Sequence, residues 1–362
     1  MKAEVDGVTW FFPPVVRTGS AREFLKALEG LLSIASTLMF GAVFLLSRRK
    51  GLEVIYSSTA QSQGFIGSFL KTVLHLPLVV NYGDPAFVRD TGLVRKVDRV
   101  FETITMSKSH LVFAVDPVIA EYVLREYAKT PIFLPNGYDA ELFRGTCDYR
   151  ATPSGFKIIT FVGKMDLSIY RLDILLNAVR LLRDRFSTVR VTMIGNGPDM
   201  ARVKSLARQL GVERCVEFLG HIAHEDIPRW LAGSDVCVHI TNDMCTGIKV
   251  AEYMAAKKPV VISAPWWNRY DEFLENRVNC VMVPLVAEEL AAAIADLLTS
   301  PSTAETVAIN GYKTGFPWTW ESIARRKMEL IAELTDRSTS GASTFRFHDR
   351  TSRQRQGHHE RL

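Results

Sequence analysis

Between residues 241 and 263 a polar loop, a helix start and a buried strand follow one another closely, and together they have the chemistry of an anion site. Gly247 closes the polar loop, residues 248–256 are mostly helix formers, and Pro259 stops that helix ahead of the apolar strand 260–262. The first amides of such a helix have no partner within it and lie at the positive end of its dipole. Gly247, Ile248 and Lys249 therefore offer N–H groups suited to a phosphate. Glu252 follows about one turn later. A nucleotide with its phosphates at the helix start would present its ribose hydroxyls to that carboxylate.

Other loops carry polar or flexible residues where a ligand could approach. Gly195-Asn196-Gly197-Pro198 closes the strand 189–194 with glycines that let backbone come close to a ligand. As a dinucleotide fingerprint it fails, because Met200 stands where the third glycine belongs and the loop lies mid-chain. Asp84, in Asn81-Tyr82-Gly83-Asp84-Pro85, is a polar group at the carboxyl end of the strand 77–81; a plain turn is the other reading. These loops need a scaffold. The pattern predicts strands at 52–56, 77–81, 111–115, 157–162 and 189–194, with helices at 65–74, 93–106 and 172–182. Strand then helix, repeated, implies parallel sheets covered on both faces, with functional groups gathered at the carboxyl ends of the strands.

The chain's 362 residues suffice for two domains that each bury a core. A hydrophobic content of 47% and a charged content of 23% belong to a soluble globular protein rather than a disordered or membrane-spanning one. The formal charge of +5 does not argue for nucleic acid, because residues 337–362 hold six Arg against Asp349 and Glu360. In that tail His358-His359 reads as solvated rather than metal-binding. The five cysteines show neither CxxC spacing nor a paired His pattern, so no zinc site or disulfide framework is expected, and a reducing compartment fits. The first residues lack the layout of a signal peptide. The apolar run 31–46, followed by Ser47-Arg48-Arg49-Lys50, is shorter than the roughly 20 residues that a spanning helix needs. It reads as a helix buried on a sheet; the alternative is a face on the bilayer surface with the basic residues against anionic headgroups.

Taken in order, several stretches resemble the retaining GT-B glycosyltransferases of glycosyltransferase family 4. Their donor signature runs Glu, seven residues, Glu, then Met-Ala-x-Gly-x-Pro-Val-Val. Glu252 stands at the second Glu, and Met254, Ala255, Pro259, Val260 and Val261 match. Lys257 takes the glycine place and Met244 the first Glu's place, with Asp243 the nearest carboxylate. Pro135, Asn136, Gly137, Asp139 and Phe143 resemble the family's interdomain entry, and residues 195–198 match its Gly-x-Gly-Pro loop. The resemblance puts a phosphate-binding cation at Lys164, after Gly163, and a second near Tyr170, where Arg171 is the substitute. It puts the base near the 220–222 loop, where His221 reads as structural or solvent-facing. It implies catalytic roles for Lys164, for Asp243 reaching the donor sugar, and for Asp84 in the place of a sugar-contacting His. Donor binding would fall to Gly163, Arg171, Gly195, Asn196, Gly197, Pro198, Gly247, Ile248, Lys249 and Glu252.

The fold class implied is α/β of GT-B type, two Rossmann-like domains facing a cleft. The first, at 1–150, would form the acceptor side, opening on 5–12, Pro13-Pro14 and a helix instead of the family's usual first strand and glycine-rich loop. The second, at 151–315, would hold the nucleotide sugar; a helix at 316–335 would cross back, and 336–362 would be a disordered tail. The implied activity is transfer from a nucleotide-diphosphate sugar to a glycan, lipid or small molecule with retention, a donor phosphate oxygen taking the acceptor's proton. No cofactor and no metal are expected, since the chain has no Asp-x-Asp and cations with a helix dipole would meet the leaving group's charge. A non-catalytic nucleotide-sugar-binding or regulatory protein of the same fold is the alternative, given the missing first Glu, His and opening loop. An NAD-dependent oxidoreductase would explain two sheets but neither motif. The expected location is cytoplasmic, with the inner face of the membrane, contacted through 31–50, as the variant of that reading.

Overall fold

Val, Ile and Thr crowd the segments that form strands, and a helix between most successive strands forces parallel pairing. The computed structural model describes residues 2–5, 8–11, 52–83, 93–144, 155–242, 247–265 and 274–340. At the start, β1 (Lys2–Val5) and β2 (Val8–Phe11) pair as an antiparallel hairpin. The sequence reading places a segment at 5–12 there, whereas the pairing joins Lys2–Val5 to Val8–Phe11. The apolar run 31–46 and Arg48, Arg49 and Lys50 lie outside the described residues, among which no helix is long and apolar enough to cross a membrane.

The first parallel sheet is built from β3 (Ile55–Ser57), β4 (Leu78–Tyr82), β5 (Leu111–Ala114) and β6 (Ile132–Phe133), in that order. Helices α1 (Ser62–Leu74), α2 (Leu93–Lys108) and α3 (Pro117–Tyr127) connect them. Asp116 caps α3 by accepting from the Val118 amide at 2.9 Å, ahead of Pro117 in the first turn. The strand predicted at 52–56 is paired only from Ile55, because its partner β4 begins at Leu78 and the Ile55 amide already reaches the carbonyl of Pro77.

The second sheet contains β7 (Lys157–Val162), β8 (Val189–Ile194), β9 (Val216–Gly220), β10 (Val236–Ile240), β11 (Val260–Ser263) and β12 (Val281–Val283). Its helices are α4 (Leu172–Arg185), α5 (Met200–Gln209), α6 (Ile227–Ala232), α7 (Gly247–Ala255), α8 (Ala287–Thr299) and α9 (Pro301–Gly315). The strands lie in the order β9-β8-β7-β10-β11-β12, the doubly wound 3-2-1-4-5-6 arrangement. The order reverses between β7 and β10, so a crevice opens at their carboxyl ends, and Gly163 and Thr241 are the residues that leave those ends. On one face Leu175, Val179 and Leu182 of α4, spaced three or four apart, pack with Ile294 and Leu297 of α8 on Ile159, Phe161 and Val191. On the other, Val250, Ala251 and Met254 of α7 cover Cys237, Val260 and Ile262.

The last helix, α10 (Trp320–Ser340), returns to the first sheet. Leu330, Ile331 and Leu334 pack on Val79, Leu111 and Phe113, and Lys327 Nζ donates to Asn81 Oδ1 at 2.7 Å. Ahead of it the Tyr138 amide donates to the Trp318 carbonyl at 2.9 Å, and the Trp320 amide to the Tyr138 carbonyl at 3.1 Å. A Cβ at Gly137 would lie 2.6 Å from the Trp320 nitrogen, which is why the Asn136-Gly137 motif ends on glycine. The helix runs to Ser340, beyond residue 335 where the sequence predicts its end, since no glycine or proline interrupts it before Gly341.

Candidate active site

Three strand ends meet at the crevice, and glycine is what lets them meet. The Gly163 amide donates to the Ile194 carbonyl at 2.9 Å, and the Gly195 amide to the Gly220 carbonyl at 2.7 Å. Gly195 has φ +130°, and a Cβ there would stand 1.9 Å from the Gly163 oxygen. A Cβ at Gly197 would stand 2.4 Å from the Met165 carbonyl oxygen, while the Met165 amide donates to the Asn196 carbonyl at 3.1 Å. The loop from Gly195 through Pro198 is thus folded onto the loop from Gly163 to Met165, which carries Lys164. Its own turn is fixed by Asn196 Oδ1, which accepts from the Gly197 amide at 2.8 Å.

Helix α7 is set against the same edge. The Val162 amide donates to the Tyr253 hydroxyl at 2.8 Å, pinning the helix to the end of β7. The end of β10 is tied in by the Asn242 amide, which donates to the Ile169 carbonyl at 2.7 Å. Gly247 opens α7 at φ +67°, the left-handed region that glycine enters without cost. The helix closes on Lys257, at φ +54°, where the family signature places glycine for the same conformational reason.

Glu252 is 1% exposed. Its Oε2 accepts from Lys249 Nζ at 2.7 Å and its Oε1 faces His224 Nε2 at 3.0 Å. An ionised carboxylate has about four lone-pair positions, so two remain for the two hydroxyls of a diol. His224, at the start of a 3₁₀ turn (His224–Asp226) after β9, has no counterpart in the sequence prediction. Neither has His239 on β10, 3% exposed, whose ring stands edge-on to Tyr170 at 6.4 Å between centroids. A lone His inside the apolar run Val236–Ile240 was the signal available for it.

The predicted cations are both engaged. Lys164 Nζ lies 3.0 Å from Asp166 Oδ2; hydrogen bonds from Ser168, then Lys164, hold that carboxyl below its usual range. Arg171 is forked onto Asp173, Nε to Oδ1 at 2.9 Å and Nη2 to Oδ2 at 2.7 Å. With Leu167, Arg202 and Leu206 this pair lines a cavity of about 470 Å³. The geometry therefore assembles Gly163, Lys164, Gly195, Asn196 and Gly197 at one loop pair and Gly247, Lys249 and Glu252 at the α7 start. Ile248 is exposed on the first turn of α7, and Pro198 leads into α5. Asp84 and Asp243 fall outside the described residues, and among the described residues no group of three His, Cys, Asp or Glu is set to hold a metal ion.

Residues 156–300 match the family described as glycosyl transferases group 1. A glycosyltransferase of Methanocaldococcus jannaschii is 20% identical over 319 residues, covering 86% of this chain and 84% of its own. The phosphatidyl-myo-inositol mannosyltransferase of Mycobacterium tuberculosis is 26% identical over 185 residues, 51% of this chain, and the match spans only 48% of that relative's length. Among solved structures, Anabaena HepE in complex with UDP superposes with a TM-score of 0.67 at 20% identity, covering 81% of each chain. The fold is therefore GT-B, with a glycosyl transferases group 1 domain on its second sheet, and the chain is a glycosyltransferase.

Proposed function

We propose that this glycosyltransferase takes its sugar from a nucleotide-diphosphate sugar bound over the second sheet and transfers it with retention of anomeric configuration. The observation that carries the proposal is Glu252, a nearly dry carboxylate held by Lys249 and His224 one turn into a helix whose first amides have no partner within the helix, with lone pairs left for a ribose diol. HepE, a similar fold, has been solved with UDP and with UDP-glucose, which supports a donor of this class. In the proposed step the bond from the anomeric carbon to the diphosphate oxygen breaks while the acceptor oxygen bonds to that carbon on the same face. The acceptor's proton passes to the departing phosphate. Negative charge on the leaving group is met by the first amides of α7 and by Lys164, with Asp84 and Asp243 proposed at the sugar. No cofactor or divalent metal takes part in this proposal.

The test is proton NMR of the anomeric signal while the protein is incubated with UDP-, GDP- and ADP-sugars, with and without EDTA, using water or added glycans as acceptor. Released or transferred sugar should first appear with the donor's anomeric configuration and at an unchanged rate in EDTA. Initial product of inverted configuration, or activity lost to EDTA and restored by Mn²⁺, would contradict it. Donor binding with no release to any acceptor would favour a nucleotide-sugar-binding protein of the same fold.

A further inference from the structure

The three cations that the sequence brings to the donor site are each held by a carboxylate of the same chain: Lys164 by Asp166, Arg171 by Asp173 and Lys249 by Glu252. His239, on β10, is a different case. His239 Nε2 is buried and, among the described residues, has no hydrogen-bond partner, although buried polar atoms nearly always find one. The ring's Cε1, bonded to that nitrogen, is the nearest atom to the position a Cβ on Gly247 would occupy, 3.7 Å away. The nitrogen therefore belongs to a ring that borders the first residue of α7, where the amides without a partner within the helix begin. The ring also stands edge-on to the ring of Tyr170, 6.4 Å between centroids. Such a nitrogen costs stability unless a hydrogen-bond acceptor or donor meets it.

We propose that His239 is a donor-site residue that hydrogen-bonds, through Nε2–H, an oxygen of the diphosphate seated on the first amides of α7. The inference rests on the nucleotide-sugar function proposed above. A phosphate oxygen is an acceptor only, so the ring must supply the proton. Burial pulls the imidazole pKa down to about 4, so the ring is neutral at pH 7 and carries a single N–H to donate. Its position in the sheet rather than on a loop makes it a fixed donor, aimed before the ligand arrives.

Calorimetry on the full chain separates this role from packing. UDP, GDP and ADP are titrated first, and the tightest is then compared with its own nucleoside in His239→Leu and His239→Gln. The Leu variant should bind the diphosphate about 10- to 100-fold more weakly, as for the loss of a hydrogen bond to a charged group, with nucleoside affinity unchanged. The Gln variant, which keeps an N–H donor, should recover part of that loss. Diphosphate binding by the Leu variant equal to the parent's would overturn the proposal. So would equal weakening of diphosphate and nucleoside, which would mark the ring as a packing residue. If the parent binds none of the three diphosphates, the nucleotide function itself falls, and this inference with it.

Discussion

In the proposed step Lys164 is the side chain that meets the leaving group's charge, and its geometry sets what its removal should do. Its side chain is 55% exposed and is paired with Asp166, which Ser168 fixes in turn through both its amide and its hydroxyl. A cation so placed can move from Asp166 to a phosphate as negative charge develops. Because that charge exists mainly in the transition state, Lys164→Ala should lower kcat by about 10²-fold while changing donor affinity far less. Steady-state kinetics on the donor identified by NMR would show it, and a loss confined to KM would assign Lys164 to ground-state binding alone. Glu252 was legible from the sequence because a carboxylate one turn into a helix after a glycine is a local pattern. Its partner His224 was not, since the two meet across 28 residues of chain and only the fold brings them together.

At the scale of the element, periodicity and breakers located most strands and helices, whereas the pairing partners decided where each ended. The strand at 52–56 begins late because β4 does, and no property of residues 52–54 reveals that. The glycine loops show the same division. Their composition marked a close approach of backbone, but what approaches is another loop: Gly195 abuts Gly163, and Gly197 abuts Met165. Gly195→Ala adds a Cβ 1.9 Å from the Gly163 oxygen in a backbone conformation that L residues avoid, so it should cost at least about 2 kcal/mol of stability. Gly220→Ala is the contrast, with a positive φ of +69° in the left-handed helical region, milder than the +130° of Gly195, and no atom within 4 Å of the added Cβ, and should cost only about 1 kcal/mol. Urea unfolding midpoints of the two variants compare them; equal losses would mean that the loops are not packed as described.

For the whole molecule, the decisive feature is the reversal of strand order between β7 and β10, which creates the crevice. The pairing of Ile159 with Val236 joins positions far apart in sequence, so hydrophobic pattern alone gives alternating strands and helices without their order. The order could be expected only from the resemblance of several motifs taken together. The return of α10 to the first sheet had the same basis; its apolar side, Leu330, Ile331 and Leu334, would fit any partner, and the contact with Phe113 identifies which one. Under the proposed function, the crevice, the glycine loops and the start of α7 receive a ligand with an anionic middle and a diol at one end. The most direct measurement is therefore isothermal titration of the parent and Glu252→Gln with UDP, GDP, ADP and their sugar conjugates. At least one should bind the parent, and the Gln variant should bind it more weakly by about 1.5–3 kcal/mol, the loss of a charged partner for the ribose hydroxyls. A Gln variant that binds each of them as tightly as the parent, or a parent that binds none, would contradict a nucleotide-sugar site at this crevice.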